Sequence, residues 1–166
     1  MRIAQTAMDL LVVGSMTWRD DWAYGLPLIV LNVVIHVLGL GLINQRAVRV
    51  ANGTTARRHP TSDFVLIMGA STLWATILHG IEAGIWAIAY RLLDAIPDFK
   101  SAMLYSLNAV TSYGHANLSL EAHWQLMGAM EALNGWLLFG LTTAFLFGMM
   151  QKVWLFGSGG NSGSCR

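Results

Sequence analysis

Charged residues are scarce in this sequence, and their scarcity excludes most soluble architectures. Of the 166 residues, only 11% are charged and 55% are apolar, whereas soluble domains carry about 25% charged residues. The formal net charge of +1 offers no basic surface for nucleic acid. The mean hydropathy of +0.51 instead indicates an integral membrane protein that is surrounded by a lipid bilayer.

Cysteine and the common enzyme motifs are also missing. The single cysteine, Cys165, cannot form a disulfide within one chain. The sequence contains no phosphate-binding loop, no dinucleotide fingerprint, no HExxH zinc motif and no CxxCH haem-attachment motif. We therefore expect neither an enzyme nor a resident cofactor.

Three long apolar segments predict three membrane-spanning helices. They cover residues 26–44, 64–90 and 124–150, the last within a helix expected at 124–152. Each is close to or above the ~20 residues that cross ~30 Å of hydrocarbon. Helices are expected because lipid cannot satisfy exposed backbone polar groups. The fold is therefore predicted to be all-α.

The flanking segments predict the orientation in a plasma (bacterial inner) membrane. Residues 1–25 are interrupted by Asp9 and mix tryptophan with charges, which favours an interfacial segment. The 45–63 loop carries four arginines against one aspartate, which places it in the cytoplasm: Arg46, Arg49, Arg57 and Arg58. The N-terminus is then outside and the C-terminus inside. Residues 153–166 are expected to be a flexible tail because glycine and serine dominate it.

The connection between the second and third spans is too long for a simple turn. Pro97 marks a break, Asp98 is a candidate N-cap, and apolar residues recur at helical spacing over residues 98–109. A helix of this length cannot cross the bilayer, so we expect it to enter from outside and turn back. The polar residues 110–114 that follow would then form a strand lining water, because irregular backbone at membrane depth requires water or protein around it.

This order of elements resembles the pore module of potassium-channel-like cation channels. In that family an outer helix, a pore helix, a filter of the T-V-G-Y-G type and an inner helix follow one another. Here SAMLYSLNAVTSYGH resembles the pore helix and filter, and WQLMGAMEALNGWLLFGLTTAFLFGMMQ resembles the inner helix. The resemblance covers residues 64–152 and looks closest to small bacterial channels of the two-transmembrane type. It implies a homotetramer, because one chain carries one pore loop.

The resemblance places the selectivity filter at Val110, Thr111, Ser112, Tyr113 and Gly114. In such a filter, backbone carbonyls from four chains replace the hydration shell of K⁺. Ser112 stands where the family has its first glycine, and a positive φ there would cost about 1–2 kcal/mol. Val110 stands in place of a threonine; on another alignment Thr111 is that threonine and one residue is deleted.

His115 follows the filter and is predicted to lie at the pore mouth, where the family commonly has aspartate. An unperturbed imidazole titrates near pH 6.5. Four protonated copies would repel incoming cations. Apart from permeant K⁺ or another monovalent cation held by the filter residues, we expect no metal.

The resemblance also implies roles within the inner helix. Gly135 matches the glycine that the family uses as a gating hinge. Asn134 would face a water-filled cavity, and Thr142 would continue the polar lining below it. Glycine in a membrane helix permits either a bend or close packing.

Two formal charges, Glu82 and Glu131, lie inside the predicted spans. A charge at mid-membrane costs at least ~2.5–3.5 kcal/mol on insertion scales, so each needs a partner or water. His79 and Glu82 are three residues apart and share one helix face. We expect them to brace the outer helix against the pore helix, and Glu131 either to pair with the filter backbone or to share a proton with Glu82.

Three functions remain open on these observations. The favoured one is a homotetrameric channel for K⁺, with selectivity that the altered filter leaves undecided. A second is a membrane haem or metal protein using His36, His79 and Glu82, which a Soret band would reveal. A third is a non-conducting membrane accessory subunit, which would give no ion flux in liposomes.

Overall fold

The computed structural model describes residues 2–51, 60–114 and 120–158. Four α-helices follow one another in these ranges: α1 (Arg2–Ala51), α2 (Pro60–Leu92), α3 (Phe99–Thr111) and α4 (Gln125–Ser158), with a 3-10 turn at Ala122–Trp124 before α4. None of these described residues lies in a β-strand. The prediction of an all-α chain is therefore confirmed, and the predicted filter strand has no counterpart in the described residues.

Three of the helices contain segments that are long and apolar enough to cross a membrane. These segments are Trp18–Arg49 in α1, Phe64–Leu92 in α2 and Gln125–Lys152 in α4. Only 22–28% of the most apolar window of each segment is buried, so most of this apolar surface is available to lipid or to another chain. The transmembrane character predicted from hydropathy is confirmed.

The helix boundaries differ from the predicted ones at several places. Helix α1 runs without a break through residue 25, where an interfacial segment was expected to end. Pro27 lies inside α1, as membrane helices tolerate proline better than soluble helices do. Residues 45–51 of the predicted loop and residues 153–158 of the predicted tail are helical. Arg57, Arg58 and residues 159–166 lie outside the described residues.

The helices contribute to two compact units, which we describe separately. The first unit comprises Met1–Val34 and Gly80–Leu137. Its core contains twelve buried apolar residues drawn from α2, α3, α4 and the connections between them, among them Trp86, Tyr90, Tyr105 and Met127. The rings of Tyr90 and Tyr105 meet edge to face, with centroids 5.4 Å apart. Helix α3 therefore belongs to the same core as the neighbouring ends of α2 and α4.

The second unit comprises Ile35–His79 and Leu138–Arg166. Ala47, Ile67 and Met149 form a small buried apolar cluster. The indole N–H of Trp74 donates to the carbonyl of Gly39 at 2.9 Å, which links α2 to α1. This unit thus joins parts of the three longest helices.

Candidate functional site

Helix α3 begins and ends at well-formed caps. The Asp98 side chain accepts a hydrogen bond from the backbone N–H of Ser101 at 2.9 Å, as predicted for an N-cap. Hydrogen bonds from the side chain and backbone of Ser101 lower the pKa of Asp98. At the other end Ser112 is left-handed, with φ 54° and ψ 27°, and the N–H of Tyr113 donates to the carbonyl of Asn108 at 3.0 Å. The backbone therefore turns sharply after Thr111.

Two glycines let α3 lie directly against α4. A Cβ atom at Gly128 would collide with the hydroxyl of Tyr105, and one at Gly135 would collide with the backbone of Val110. Small residues of this kind permit close helix packing in membranes. Gly128 and Gly135 are seven residues apart, so they lie on the same face of α4. The contact therefore extends over two turns of that helix.

The carboxyl group of Glu131 joins three helices. It is fully buried, and its Oε2 atom accepts a hydrogen bond from the Tyr90 hydroxyl of α2 at 2.7 Å. Its Oε1 atom accepts from the Ser106 hydroxyl of α3. The same hydroxyl lies 2.6 Å from the carbonyl oxygen of Ala83. Glu131 thus connects α2, α3 and α4, through Tyr90 and Ser106 rather than through the filter backbone.

The residues after α3 are exposed on the described chain. Tyr113 is 86% exposed, and Gly114 has a φ of 96°, a conformation that favours glycine. The indole N–H of Trp136 donates to the Ser112 hydroxyl at 2.9 Å. Since Trp136 lies next to Gly135 in α4, the sharp turn after α3 is held against that helix.

A separate polar cluster lies in the second unit. The hydroxyl oxygen of Thr142 is 2.9 Å from Nε2 of His36 and 3.2 Å from Nε2 of His79. The ring of His79 stacks on that of Phe139, with centroids 4.5 Å apart and planes 29° apart. These contacts connect α1, α2 and α4.

The structure places several predicted filter and gate residues differently from expectation. Val110 and Thr111 belong to α3, so the non-helical segment begins at Ser112, not at residue 110. Asn134 is fully buried and does not line an open cavity in the described chain, because its side of α4 faces the protein interior. Gly135 lies in an unbroken helix and serves close packing. His115 lies outside the described residues.

Two further predicted residues are buried among helices. Thr142 is 9% exposed and contacts two histidines; its expected place in a polar cavity lining stays a prediction. Glu82 is fully buried in α2. Its expected bracing role, like that of His79 against the pore helix, stays a prediction.

Asn134 yields a direct test of the expected cavity lining. Neither polar atom of its side-chain amide has a hydrogen-bond partner among the described residues, and an unsatisfied buried polar group is destabilising. Asn134→Leu is therefore expected to leave stability unchanged or to raise it by up to about 1 kcal/mol, because replacing such a group by an apolar one of similar size is nearly neutral or favourable. Ion flux should be unchanged.

Thermal unfolding and liposome flux measure the two effects of Asn134→Leu. Asn134→Asp has the same size but introduces a charge, and it should destabilise the protein. A large loss of flux in a stable Asn134→Leu protein would restore the cavity-lining role.

Three residues of the site were not found by sequence reasoning: Tyr90, Ser106 and Trp136. Each is an ordinary component of a membrane helix, and only the fold gives it a partner.

No family model, curated protein or solved structure matches this chain. The described residues define only the class of protein to which the chain belongs. It is a multi-pass, all-α membrane protein with three helices of spanning length and a shorter helix of 13 residues between the second and third.

Proposed function

We propose that the chain is a cation channel subunit, in which α3 is a re-entrant pore helix and the residues after it line the ion path. The observation that carries this proposal is the position of the C-terminal end of α3. Its last turn contacts α4 at Gly135, about three turns from the start of that helix, and is followed at once by exposed, irregular backbone. In lipid, such backbone is tolerated only where it lines water or lies within protein.

Two contacts of α3 support a position near mid-membrane. Val110 contacts Gly135, ten residues after the start of α4 at Gln125, which is about 15 Å at 1.5 Å per residue. Ser106 contacts Ala83, nine residues before the end of α2 at Leu92, which is about 13–14 Å. If α2 and α4 cross ~30 Å of hydrocarbon, both contacts lie near its middle.

The exposed end of α3 favours an assembly around a central axis. Tyr113 and Gly114 are exposed on the single chain, and a re-entrant α3 would bring them near mid-membrane. Further copies of the chain would enclose this segment and the water it contacts. Four copies give a closed ring with one such segment each, as in the channels that the sequence resembles. The C-terminal end of α3 would then direct its partial negative charge toward a permeating cation.

The left-handed backbone conformation of Ser112 is relevant to ion selectivity. Its φ of 54° is the strained conformation expected where the related channels have glycine, and the Trp136 indole holds its side chain. Carbonyl groups near this turn would be available to K⁺, and the missing glycine favours weak selectivity among monovalent cations. We therefore propose K⁺ conduction, with Na⁺ as the competing ion.

Ion flux in liposomes tests the function. Purified protein in liposomes with a K⁺ gradient is expected to pass K⁺ at least tenfold faster than empty liposomes, and Tyr113→Ala should change the ratio of K⁺ to Na⁺ flux. Tyr24→Ala is the matched control, because Tyr24 lies on α1 and contacts Trp124 rather than the end of α3.

Absence of flux from a folded protein, or a single-chain mass in native mass spectrometry, would contradict this function. The first result would favour the accessory subunit. A haem or metal protein would instead show a Soret band or bound metal in the purified sample.

A further inference from the structure

The Thr142 hydroxyl is shared by two imidazoles. Nε2 of His36 lies 2.9 Å from its oxygen, and Nε2 of His79 lies 3.2 Å from it. The neighbouring Thr143 behaves differently, because its hydroxyl donates to the carbonyl of Phe139 within its own helix at 2.8 Å. Two adjacent threonines of α4 therefore have different hydrogen-bonding partners.

The shared hydroxyl has one proton for two imidazole partners. A threonine hydroxyl has one proton to donate and can also accept. If it donates to one imidazole, the bond to the other needs a proton on that second Nε2. For both bonds to form in this way, the two histidines must therefore have opposite roles, as Nε2–H···Oγ1–H···Nε2. Such a chain is continuous for proton movement.

We infer that His36, Thr142 and His79 form an intramembrane proton-binding site, in which one proton is exchanged between the two imidazoles. With His36 as the imidazolium, protonated on both ring nitrogens, its Nε2–H bond breaks as the proton moves to Oγ1. The hydroxyl proton moves at the same time to Nε2 of His79. One positive charge passes from α1 to α2, Thr142 is restored as a neutral hydroxyl, and no atom or electron is left over.

The surroundings of this site fit a shared proton. His36 is fully buried and Thr142 is 9% exposed, so bulk water does not compete for the bond between them; His79 is half-buried. The ring of Phe139 lies against that of His79 at 4.5 Å, and an aromatic face stabilises a cation above it.

Few other titratable groups lie near these three residues along the helices. Glu82 follows His79 by one turn of α2. In α4 no titratable residue lies between Glu131 and Lys152, and in α1 only Tyr24 and His36 lie between Asp21 and Arg46. Glu82 is thus the only other group that could charge within one turn of the site.

Helix α1 is not part of the two-helix pore module, yet the site ties it to α4. When the proton moves, the positive charge passes from one helix to another. The electrostatic force on α4, which contacts both histidines through Thr142, therefore changes. The proton-binding site does not depend on the proposed channel function. Any effect of proton movement on ion flux does rest on that proposed function.

Nitrogen-15 spectra of histidine-labelled protein in lipid nanodiscs test the site. The protein has five histidines, and His36→Gln and His79→Gln assign the two signals. In the native protein the Nε2 signals of His36 and His79 are expected to titrate together. In Thr142→Val, which removes the shared hydroxyl, the two signals should no longer titrate with one midpoint.

Thr142→Ser should retain the joint titration because it keeps the hydroxyl, and Thr143→Val is the matched control that should leave it unchanged. If Thr142→Val does not fold, His36→Gln reports the same coupling through a shift of the His79 midpoint. Independent titration of the two histidines in the native protein would overturn the inference. Loss of all ion flux with joint titration intact would contradict only the channel.

Discussion

Glu131→Ala is expected to destabilise the protein by about 2–4 kcal/mol, because each buried donor left without an acceptor costs about 1–3 kcal/mol. The substitution leaves the Tyr90 hydroxyl without its acceptor, whereas the Ser106 hydroxyl keeps the carbonyl oxygen of Ala83 as its acceptor. It also leaves a cavity where α2, α3 and α4 meet. Helix α3 should separate from its neighbours, so ion flux should fall with stability.

Glu131→Gln is the informative companion variant. It keeps the size of the side chain and one acceptor oxygen, so one of the two hydroxyl bonds survives. Its stability should lie between that of the native protein and that of Glu131→Ala. Thermal unfolding in detergent and proteolysis of the segment around α3 measure the effect. A Glu131→Ala protein that unfolds at the native temperature would show that the carboxyl group does not hold α3 in place.

Hydropathy located the spanning helices, because crossing the hydrocarbon is a requirement on composition and length alone. The position of α3 was also predictable: Pro97 and Asp98 mark its start, and the observed helix Phe99–Thr111 differs from 98–109 by two residues at its end. That end was misplaced because Ser112 takes the left-handed conformation that usually indicates glycine. Helix α1 was divided at residue 25 because its charges and tryptophans resemble an interface.

The contacts of α3 were harder to predict, since its buried face is not its most apolar face. Ala102, Ser106 and Ala109 are buried together with Tyr105 and Val110, whereas Leu104 and Leu107 are exposed. In a membrane, large apolar side chains are as stable in lipid as in protein, so helices often meet through small and polar residues. A periodicity of large apolar residues therefore identifies α3 as a helix but does not by itself identify the face that packs. The partners of Glu131 could not be inferred for the same reason.

Gly135→Ala is expected to lower stability by about 1–3 kcal/mol, the usual cost of forcing an extra group into a close-packed contact. The added Cβ would meet the carbonyl oxygen, carbonyl carbon and Cα of Val110. These are backbone atoms, so the contact cannot be relieved by a side-chain rotation, and the end of α3 must move. Flux measurements should then show a change in the ratio of K⁺ to Na⁺, because the segment after Ser112 moves with α3.

Gly140→Ala is the matched control for Gly135→Ala. A Cβ atom at Gly140 meets nothing within 4 Å, and alanine is the better helix former by about 1 kcal/mol. This variant should be as stable as the native protein or more so. The comparison separates two roles of Gly135. A hinge glycine replaced by alanine would stiffen α4 and alter opening while the folded protein stays stable, whereas a packing glycine loses stability and ion discrimination together. Equal stability of the Gly135→Ala and Gly140→Ala proteins would therefore favour the hinge. It would also show that the close contact between α3 and α4 does not support the ion path.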